Sequence, residues 1–293
     1  MIRRMITAKR LEFESSVVVI GVGLIGGSIA AAIRQRFPTC RIMGIGRSRD
    51  RLVAAQAAGL IDHFDVRIAA ESFPSGSLSV VCLPVDRIAA SVREILCLAD
   101  DQSVVTDAGS VKQLIYDQLH EVPAASDRFV GSHPIAGAEQ SGFEHAQPNL
   151  FDDRMCVVTP ESGPDKVVER VCRFWRMLGC NVAKMSATVH DQILAHTSHL
   201  PHLLAAVSAS AVTAEELKYT GTGFRDTTRV AAGSSELWTT ILLGNRGSVL
   251  DSIRTASKIL IEFENAIEKN DSDALRTLLS DAAKLRQMLH ETK

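Results

Sequence analysis

One histidine has neighbours in the sequence that restrict its backbone conformation. The segment GSHPIAG, residues 131–137, places His133 directly before Pro134, with a glycine at each end. Pro134 fixes its own φ and pushes His133 toward an extended conformation, while the glycines permit turns that other residues resist. An imidazole held in this way could pack in the core, ligate a metal or accept a proton near neutral pH. The nine histidines form no H-x-x-x-H pair with a nearby third ligand, so no metal site is expected.

A glycine pattern near the start of the chain predicts a dinucleotide site. The letters GVGLIGG match G-x-G-x-x-G directly after a predicted strand and directly before a predicted helix. The first glycine makes the tight turn, the second lets the backbone approach a pyrophosphate, and the third lets the helix pack against the strand. The predicted cofactor contacts at the ends of the strands are Gly21, Gly23, Leu24, Ile25, Gly26, Leu83, Pro84 and Gly109.

The loop after the second predicted strand bears on which cofactor is used. Dinucleotide folds commonly carry an acid here that binds the adenosine ribose hydroxyls, but the letters GIGRSRDR place Gly46 there, followed by Arg47 and Ser48. A basic, hydroxyl-bearing loop suits a 2′-phosphate. The alternative is a solvated helix start with incidental arginines. Arg47 and Ser48 are therefore predicted cofactor contacts, with NADP preferred and NAD possible.

The first half of the chain alternates short β-branched runs with helical patterns, which is typical of a parallel α/β sheet. The predicted strands are 16–21, 41–46, 78–84, 102–110, 128–134, 154–160 and 181–186. The predicted helices are 24–37, 49–59, one that ends near residue 98, 111–120 and 165–178. Ligands bind at the carboxyl ends of such strands, where His133 is expected to lie.

From about residue 187 the strand patterns vanish and helical periodicity continues to the C-terminus. The segment 218–237 interrupts it and is rich in Gly, Thr and Ser, which predicts a polar loop. His199 and His202 are three residues apart and could share a helix face, but Pro201 between them predicts a helix start or a kink.

A chain of 293 residues exceeds the usual single core, which favours two domains. The predicted fold class is α/β, with an N-terminal doubly wound Rossmann-type dinucleotide-binding domain followed by an all-α C-terminal domain. We predict a flexible arm over residues 1–14, the dinucleotide-binding domain over 15–186, and a helical substrate and dimerisation domain over 187–293.

Composition excludes several classes of protein. With 32 basic and 34 acidic side chains the formal net charge is -2, and the chain shows no basic stripe typical of nucleic-acid binding. No apolar run has the length of a membrane span. The six cysteines have no CxxC spacing, which favours free thiols and a cytoplasmic location.

Four motifs in order carry a family resemblance: DAGSVK (107–112), GSHPIAGAEQSG (131–142), SHLPH (198–202) and GFRDTTRVA (223–231). Over residues 15 to 290 or so, the chain resembles the prephenate/arogenate dehydrogenases of tyrosine biosynthesis. The resemblance implies an oxidative decarboxylation in which hydride leaves the ring carbon bearing the hydroxyl for NAD(P)⁺ and the ring carboxylate departs as CO₂. The product would be 4-hydroxyphenylpyruvate from prephenate, or tyrosine from arogenate.

The resemblance also implies roles for individual residues. His133 matches the catalytic histidine that draws off the substrate hydroxyl proton, and Ser110 matches the serine that shares this hydroxyl. Arg229 matches the arginine that binds the ring carboxylate, for which a guanidinium fork is well suited, with Arg225 as its competitor. The other residues implied at the substrate pocket are His202 and Trp238 in its lining, Glu139 at its mouth, Asp226 orienting the loop and Lys112 as a further anion contact.

Some of these assignments have alternatives in the same residues. DAGS could simply cap the helix that begins near Val111, with Asp107 tethering the loop. His199 and Asp191 are predicted to hold the first helical segment in place. Ala138 stands where many relatives carry threonine, so the choice between prephenate and arogenate stays open, with His202 favouring prephenate.

Two other functions compete with this reading. A β-hydroxyacid dehydrogenase would use a lysine of the helical domain as its acid and base, and no lysine there lies in a suitable Gly-rich setting. A non-catalytic NADP(H)-sensing protein would have no need of Ser110, His133 and Arg229 together. We expect a monofunctional enzyme, and a homodimer formed through the apolar faces of the C-terminal helices.

Overall fold

The computed structural model describes residues 13–137, 140, 142–161 and 163–291. Most of the predicted arm, and Glu139 with its neighbour Ala138, lie outside the described residues. The last two residues of that arm pack against the first domain. The Phe13 ring stacks on Phe37 at 3.9 Å between centroids, and the Glu14 carboxylate is paired with Arg170 at 2.6 Å.

Five parallel strands form the central sheet, in the spatial order β3-β2-β1-β4-β5. The strands are β1 Ser16–Ile20, β2 Arg41–Ile45, β3 His63–Asp65, β4 Leu78–Val81 and β5 Val104–Asp107. The helices that follow them are α1 Leu24–Arg36, α2 Arg49–Ala57, α3 Val85–Leu98 and α4 Gln113–Leu119. This order is that of a doubly wound dinucleotide-binding domain, as predicted. The short β3 was missed, because three residues are too few to show a strand period.

The central strand β1 shows why the chain folds this way. Successive side chains of a strand point to opposite faces, and Val17 and Val19 belong to one core cluster while Val18 and Ile20 belong to the other. Every residue of β1 is buried. A strand that is apolar on both faces needs helices on both faces, which the alternating pattern of the sequence supplies.

A second, three-stranded sheet extends this domain. It consists of β6 Gly131–Pro134, β7 Met155–Thr159 and β8 Asn181–Lys184, with β6 antiparallel to β7 and β7 parallel to β8. Two helices accompany it, α5 Pro123–Arg128 and α6 Asp165–Met177. The amide of Val130 donates to the carbonyl of Val105 at 3.1 Å, so the chain leading into β6 lies beside β5 and carries His133 to the end of the main sheet.

The remainder of the described chain is helical. Its helices are α7 Ala187–Leu194, α8 Leu200–Ser210, α9 Thr222–Thr228, α10 Ser235–Gly244, α11 Arg246–Glu268 and α12 Ser272–Glu291. A π-helical turn, Ala195–His199, joins α7 to α8, and Pro201 occupies the first turn of α8. Residues 187–210 are helical without a break, so Pro201 follows a π-helical irregularity in a continuous helix and does not start a new one, which corrects the predicted helix start. Within the described residues no helix is long and apolar enough to cross a membrane.

The predicted loop over 218–237 is wrong. The segment contains α9 and two 3₁₀ turns, Glu216–Tyr219 and Arg229–Ala232, and it runs into α10. Its Gly, Thr and Ser residues have low helix propensity, but propensity is a weak prior that tertiary packing overrides. Here α9 and the following turn pack against α8.

Candidate active site

The turn between β1 and α1 has the geometry that a pyrophosphate requires. Gly21 has a φ of +95°, and a Cβ there would lie 2.5 Å from the carbonyl oxygen of Cys82. A Cβ at Gly26 would clash with the carbonyl oxygen of Gly21, whereas a Cβ at Gly23 would meet nothing within 4 Å. No side chain caps the start of α1. The turn therefore leaves open backbone at Gly23 beside uncapped helix amides, which fits the phosphates of a dinucleotide.

A pocket of about 770 Å³ continues from this turn along the ends of β2 and β4. Six of the predicted cofactor and selectivity residues line it: Gly21, Gly23, Gly46, Arg47, Ser48 and Leu83. The other predicted contacts lie at the start of α1 (Leu24, Ile25, Gly26), at the start of α3 (Pro84) and in the turn after β5 (Gly109). The pocket therefore lies where the adenosine end of the predicted cofactor site is expected.

Sequence reasoning found only part of this pocket's positive charge. Arg51, Arg67 and Arg87 line it in addition to Arg47. Arg67 follows the short β3, which was itself missed, so nothing in the sequence pattern placed it at this site. Arg51 pairs with Glu144 at 3.1 Å. Ser48 caps α2, since its hydroxyl accepts from the Arg51 amide at 3.5 Å.

The turn from β5 to α4, which carries Ser110, is tied down by a buried ion pair. Asp107 and Lys112 are both fully buried, and their carboxylate and ammonium groups are in contact. The second bond of Lys112 Nζ goes to the carbonyl of Ser132 at 2.9 Å, and Asp107 accepts from the Gly109 amide at 2.8 Å. Asp107 tethers the loop as predicted. Ser110 itself is half-buried in the turn.

Lys112 was predicted as an anion contact, and its position argues for a different role. Its side chain has 0% exposure and its ammonium is already neutralised by Asp107. The ion pair links the Ser110 turn to β6, because Lys112 binds the carbonyl of Ser132 and Asp107 accepts from the Ser132 amide at 3.1 Å. Lys112 therefore joins the two segments that carry Ser110 and His133.

His133 is 9% exposed at the end of β6 and takes part in a buried chain of hydrogen bonds. Its Nδ1 lies 2.9 Å from Nε2 of His190, and Nδ1 of His190 lies 2.7 Å from Oδ1 of Asp191. Burial, helped by the nearby His190, Lys112 and His199, holds the pKa of His133 well below its usual value of 6.5. The imidazole of His133 is therefore neutral at pH 7.

His190 is the site residue that sequence reasoning missed. It is fully buried and lies 57 positions from His133, so no local spacing connects the two. The only sequence signal was its place next to Asp191 in a helix that begins the second domain. A pair of buried polar residues in that helix needs partners, and the partners belong to the first domain.

Asp191 has a second function besides contacting His190. Its two carboxylate oxygens accept from the amides of Lys112 and Gln113, both at 2.9 Å. These amides lie at the start of α4, where a carboxylate satisfies free backbone donors. The carbonyl of Asp191 in turn accepts from Asn245, which also contacts His199 at 3.2 Å. The predicted supporting roles of Asp191 and His199 agree with these contacts.

His202 and Trp238 lie together in the helical domain, as a shared pocket lining requires. Their rings stack at 3.6 Å between centroids. Nδ1 of His202 is buried and has no hydrogen-bond partner among the described residues. Burial lowers the pKa of His202. This side chain therefore offers an unused polar atom beside an aromatic wall.

The segment that carries the predicted carboxylate anchor lies at the surface of this chain. Arg225 and Asp226 lie on α9, and Arg229 begins the 3₁₀ turn that follows; all three are exposed.

The structure brings His133, Lys112 and the Ser110 turn together around one buried network, and it stacks His202 on Trp238. Across the described ranges, no group of three or more His, Cys, Asp or Glu side chains is arranged to hold a metal ion.

Two family models match the chain, one after the other. Residues 29–184 match the model described as prephenate dehydrogenase, nucleotide-binding domain. Residues 186–281 match the model described as prephenate dehydrogenase, dimerization domain.

Individual relatives agree over most of the chain. It is 31% identical over 276 residues to the prephenate dehydrogenase of Bacillus subtilis, covering 90% of this chain and 73% of the relative. It is 30% identical over 284 residues to the cyclohexadienyl dehydrogenase of Zymomonas mobilis, covering 93% and 95%. Its structure matches that of prephenate dehydrogenase from A. aeolicus, in complex with hydroxyphenyl propionate and NAD⁺, with a TM-score of 0.88, 30% identity and coverage of 96% and 100%.

Proposed function

The chain belongs to the prephenate dehydrogenase family of NAD(P)-dependent enzymes, and from this premise we propose that it oxidatively decarboxylates prephenate with NADP⁺ as the preferred cofactor. In this reaction hydride leaves the ring carbon that bears the hydroxyl. The hydroxyl proton moves to a base, the ring carboxylate departs as CO₂, and the ring becomes aromatic. The observation that carries the proposal is a neutral, buried His133 at the ligand-binding end of the sheet.

The cofactor, when bound, supplies the hydride acceptor. The residues of this chain that would hold it are the glycine turn at Gly21 and Gly23 and the pocket at the ends of β2 and β4. The open backbone at Gly23 suits the phosphates, and the arginine-lined pocket suits the adenosine end. The family match removes the β-hydroxyacid dehydrogenase alternative.

His133 acts as the general base in this proposal. A neutral imidazole can accept the hydroxyl proton at pH 7, which an imidazolium cannot. Ser110, in the neighbouring turn held by the Asp107–Lys112 pair, is proposed to share a hydrogen bond with the same hydroxyl. Arg229 is proposed to anchor the ring carboxylate with its guanidinium fork, and Asp226 to orient the segment that carries it. Glu139 is proposed to lie at the mouth of the substrate pocket.

The choice of prephenate over arogenate rests on His202. With a hydrogen on its unused Nδ1, His202 beside Trp238 can donate to the keto oxygen of the prephenate side chain. Turnover of prephenate and of arogenate, measured at the same cofactor concentration, tests this choice. A larger kcat/KM for arogenate would contradict the assignment.

The preference for NADP⁺ rests on charge at the adenosine end. Gly46 offers no carboxylate to bind a ribose diol or to repel a phosphate. Arg47, Ser48 and Arg67 line the same pocket, together with Asp86 and with Arg51, which is paired with Glu144. One charged contact of this kind is worth about 1.5–3 kcal/mol, or roughly ten- to a hundredfold in affinity. We expect kcat/KM for NADP⁺ to exceed that for NAD⁺ by this order.

The double substitution Gly46→Asp with Arg47→Ala should reverse that order. The new carboxylate would accept from the ribose hydroxyls, and the phosphate would lose one arginine. A Cβ at Gly46 would meet Leu52 at 3.5 Å, which is ordinary contact, so the fold should tolerate it. Arg93→Ala, on α3 away from this pocket, is the matched control. A wild-type preference for NAD⁺ would show that these arginines carry no specificity.

We also propose that the enzyme is a cytoplasmic homodimer. Six cysteines with free thiols favour a reducing compartment. The C-terminal region matches a dimerization domain, and α11 and α12 expose large apolar side chains.

A further inference from the structure

We infer that His190 is a positioning residue for the proposed base, fixing the tautomer in which Nε2 of His133 is free to accept the substrate proton. The inference rests on the proposed function only in taking His133 as that base. It concerns a residue of the helical domain that reaches into the site of the other domain.

The direction of the hydrogen-bond chain follows from its far end. The Asp191 carboxylate accepts the amides of Lys112 and Gln113, and a carboxylate that does so is an acceptor only. Nδ1 of His190, 2.7 Å from Oδ1 of Asp191, must therefore carry the hydrogen of that bond. In a neutral imidazole the other nitrogen is then an acceptor, so Nε2 of His190 presents its lone pair.

The same argument about donor and acceptor nitrogens applies to His133. Nδ1 of His133 lies 2.9 Å from Nε2 of His190 and donates its hydrogen there. Nε2 of His133 is then left unprotonated, which is the form a general base needs. When Nε2 takes up the substrate proton, the imidazolium keeps its Nδ1–H bond to His190, and the Asp191 carboxylate lies at the end of the chain. This arrangement orients the ring before the reaction and stabilises the charge formed during it.

The hydrogen-bond chain from His133 through His190 to Asp191 is buried. His190 has 0% exposure and His133 has 9%, so water does not offer either ring an alternative partner. The charged and titratable groups around His133 are Lys112 from the β5–α4 turn, with its partner Asp107, His190 and Asp191 from α7, and His199 from the π-helical turn. Lys112 is neutralised by Asp107, which leaves His190 as the group bonded to the His133 ring.

The test is His190→Ala, with His190→Gln as its companion. Loss of the acceptor should lower kcat by about 10- to 100-fold while KM changes by less than about threefold, because the bond matters most when charge forms on His133. Removal of His190 also admits water and removes a neighbour that depresses the pKa of His133, so the acid limb of kcat/KM should move to higher pH. In His190→Gln the amide oxygen can still accept from Nδ1 of His133, so we expect part of kcat to return.

A matched control and a variant of Asp191 complete the experiment. His196→Ala removes an exposed histidine from the same helical stretch and should leave kcat and the pH profile unchanged. Asp191→Asn keeps an oxygen toward the Lys112 amide and Nδ1 of His190 but removes the negative charge at the end of the hydrogen-bond chain. It should lower kcat, because the charge formed on His133 then has no counter-charge at the end of that chain. Far-ultraviolet circular dichroism of each variant verifies that it is folded.

Two outcomes would overturn the inference. In one, folded His190→Ala keeps kcat within about threefold of wild type with an unmoved acid limb. In the other, His190→Ala and His190→Gln lose the same activity and the acid limb of kcat/KM does not move, which is the result expected if His190 only fills space. If instead the wild type turns over neither prephenate nor arogenate, the proposed function itself fails, and the two failures are thus distinguishable.

Discussion

At the scale of single residues, the site depends on a histidine whose pKa is held below 6.5 by burial. Desolvation disfavours the charged imidazolium, and the nearby cationic and titratable groups add to this effect. A base with a lowered pKa is a weaker base, yet it is almost wholly in the reactive form at neutral pH. In the proposed mechanism His133 is therefore a weaker base that is ready to accept a proton at neutral pH, and the surrounding hydrogen bonds would stabilise the imidazolium once it forms.

His133→Asn should lower kcat by at least about a hundredfold with a small change in KM, because asparagine cannot accept the proton in the transition state. In the wild type, kcat/KM should be level above pH 7 and should fall as the pH drops through the lowered pKa of His133, since only the neutral ring is active. Steady-state kinetics from pH 5 to 9 measure both effects. A variant that keeps most of its activity would remove His133 from the chemistry.

Arg229→Ala should act mainly on KM. A carboxylate anchor is present in the ground state and the transition state alike, so its loss weakens binding more than it slows the chemical step. Arg225→Ala, on the same exposed face of the chain, is the comparison that separates the two arginines. If KM for prephenate stays within about twofold in Arg229→Ala, another residue holds the ring carboxylate.

At the scale of elements, three segments meet at the site and each is held by a buried polar contact. The turn after β5 is joined to β6 by the Asp107–Lys112 pair, and the start of α4 is joined to α7 by Asp191. Such contacts stabilise one arrangement of the segments because leaving any of these groups unpaired is costly. The three short segments are thereby placed with an accuracy that local propensity does not provide.

Lys112→Met should destabilise the protein by about 3–5 kcal/mol, because it leaves the buried Asp107 carboxylate without its counter-charge. Adding Asp107→Asn should recover part of this loss, since the unpaired charge is then removed. Urea unfolding of the two single variants and the double variant gives the coupling energy directly. A coupling near zero would show that the pair does not hold the two segments together.

At the scale of the whole molecule, the helical domain has two separate surfaces. One surface docks on the dinucleotide-binding domain, where Ile241 and Trp238 of α10 pack against Val85 and Val111. The other carries exposed leucines and isoleucines of α11 and α12, among them Leu260 and Leu285, both 70% exposed. Apolar faces of this kind on long helices mark an interface, and the match to a dimerization domain identifies the kind of partner as a second copy.

Leu260→Glu combined with Leu285→Glu should convert the dimer to monomers, because the charges would have to be buried without partners. Sedimentation velocity over a range of protein concentrations measures the change. Leu98→Glu places the same charge on α3 of the other domain, at a leucine that is 39% exposed, and should leave the dimer intact. Dimers of unchanged stability in the double variant would place the interface elsewhere.

The sequence by itself determined the turn at Gly21 and Gly23 and most elements of the first domain, but neither β3 nor α5. Strand and helix periods are local patterns, and a glycine turn between them has a local steric cause, so both are legible along the chain. Pro134 and the flanking glycines singled out His133 locally, but its assignment as the base came from the family resemblance. The helical nature of 218–237 was not predicted, because short helices with weak propensity depend on the surface they pack against.

The tertiary structure alone decided which groups touch. It buried Lys112 against Asp107, it added Arg67 to the adenosine pocket, and it placed His190 between His133 and Asp191. His133 and His190 are 57 positions apart and belong to different domains, so their contact follows from how α7 docks on β6 and α4. Hydrogen bonds and ion pairs form only when the donor–acceptor distance is correct to within a few tenths of an ångström. Only the packing of whole elements sets distances that accurately.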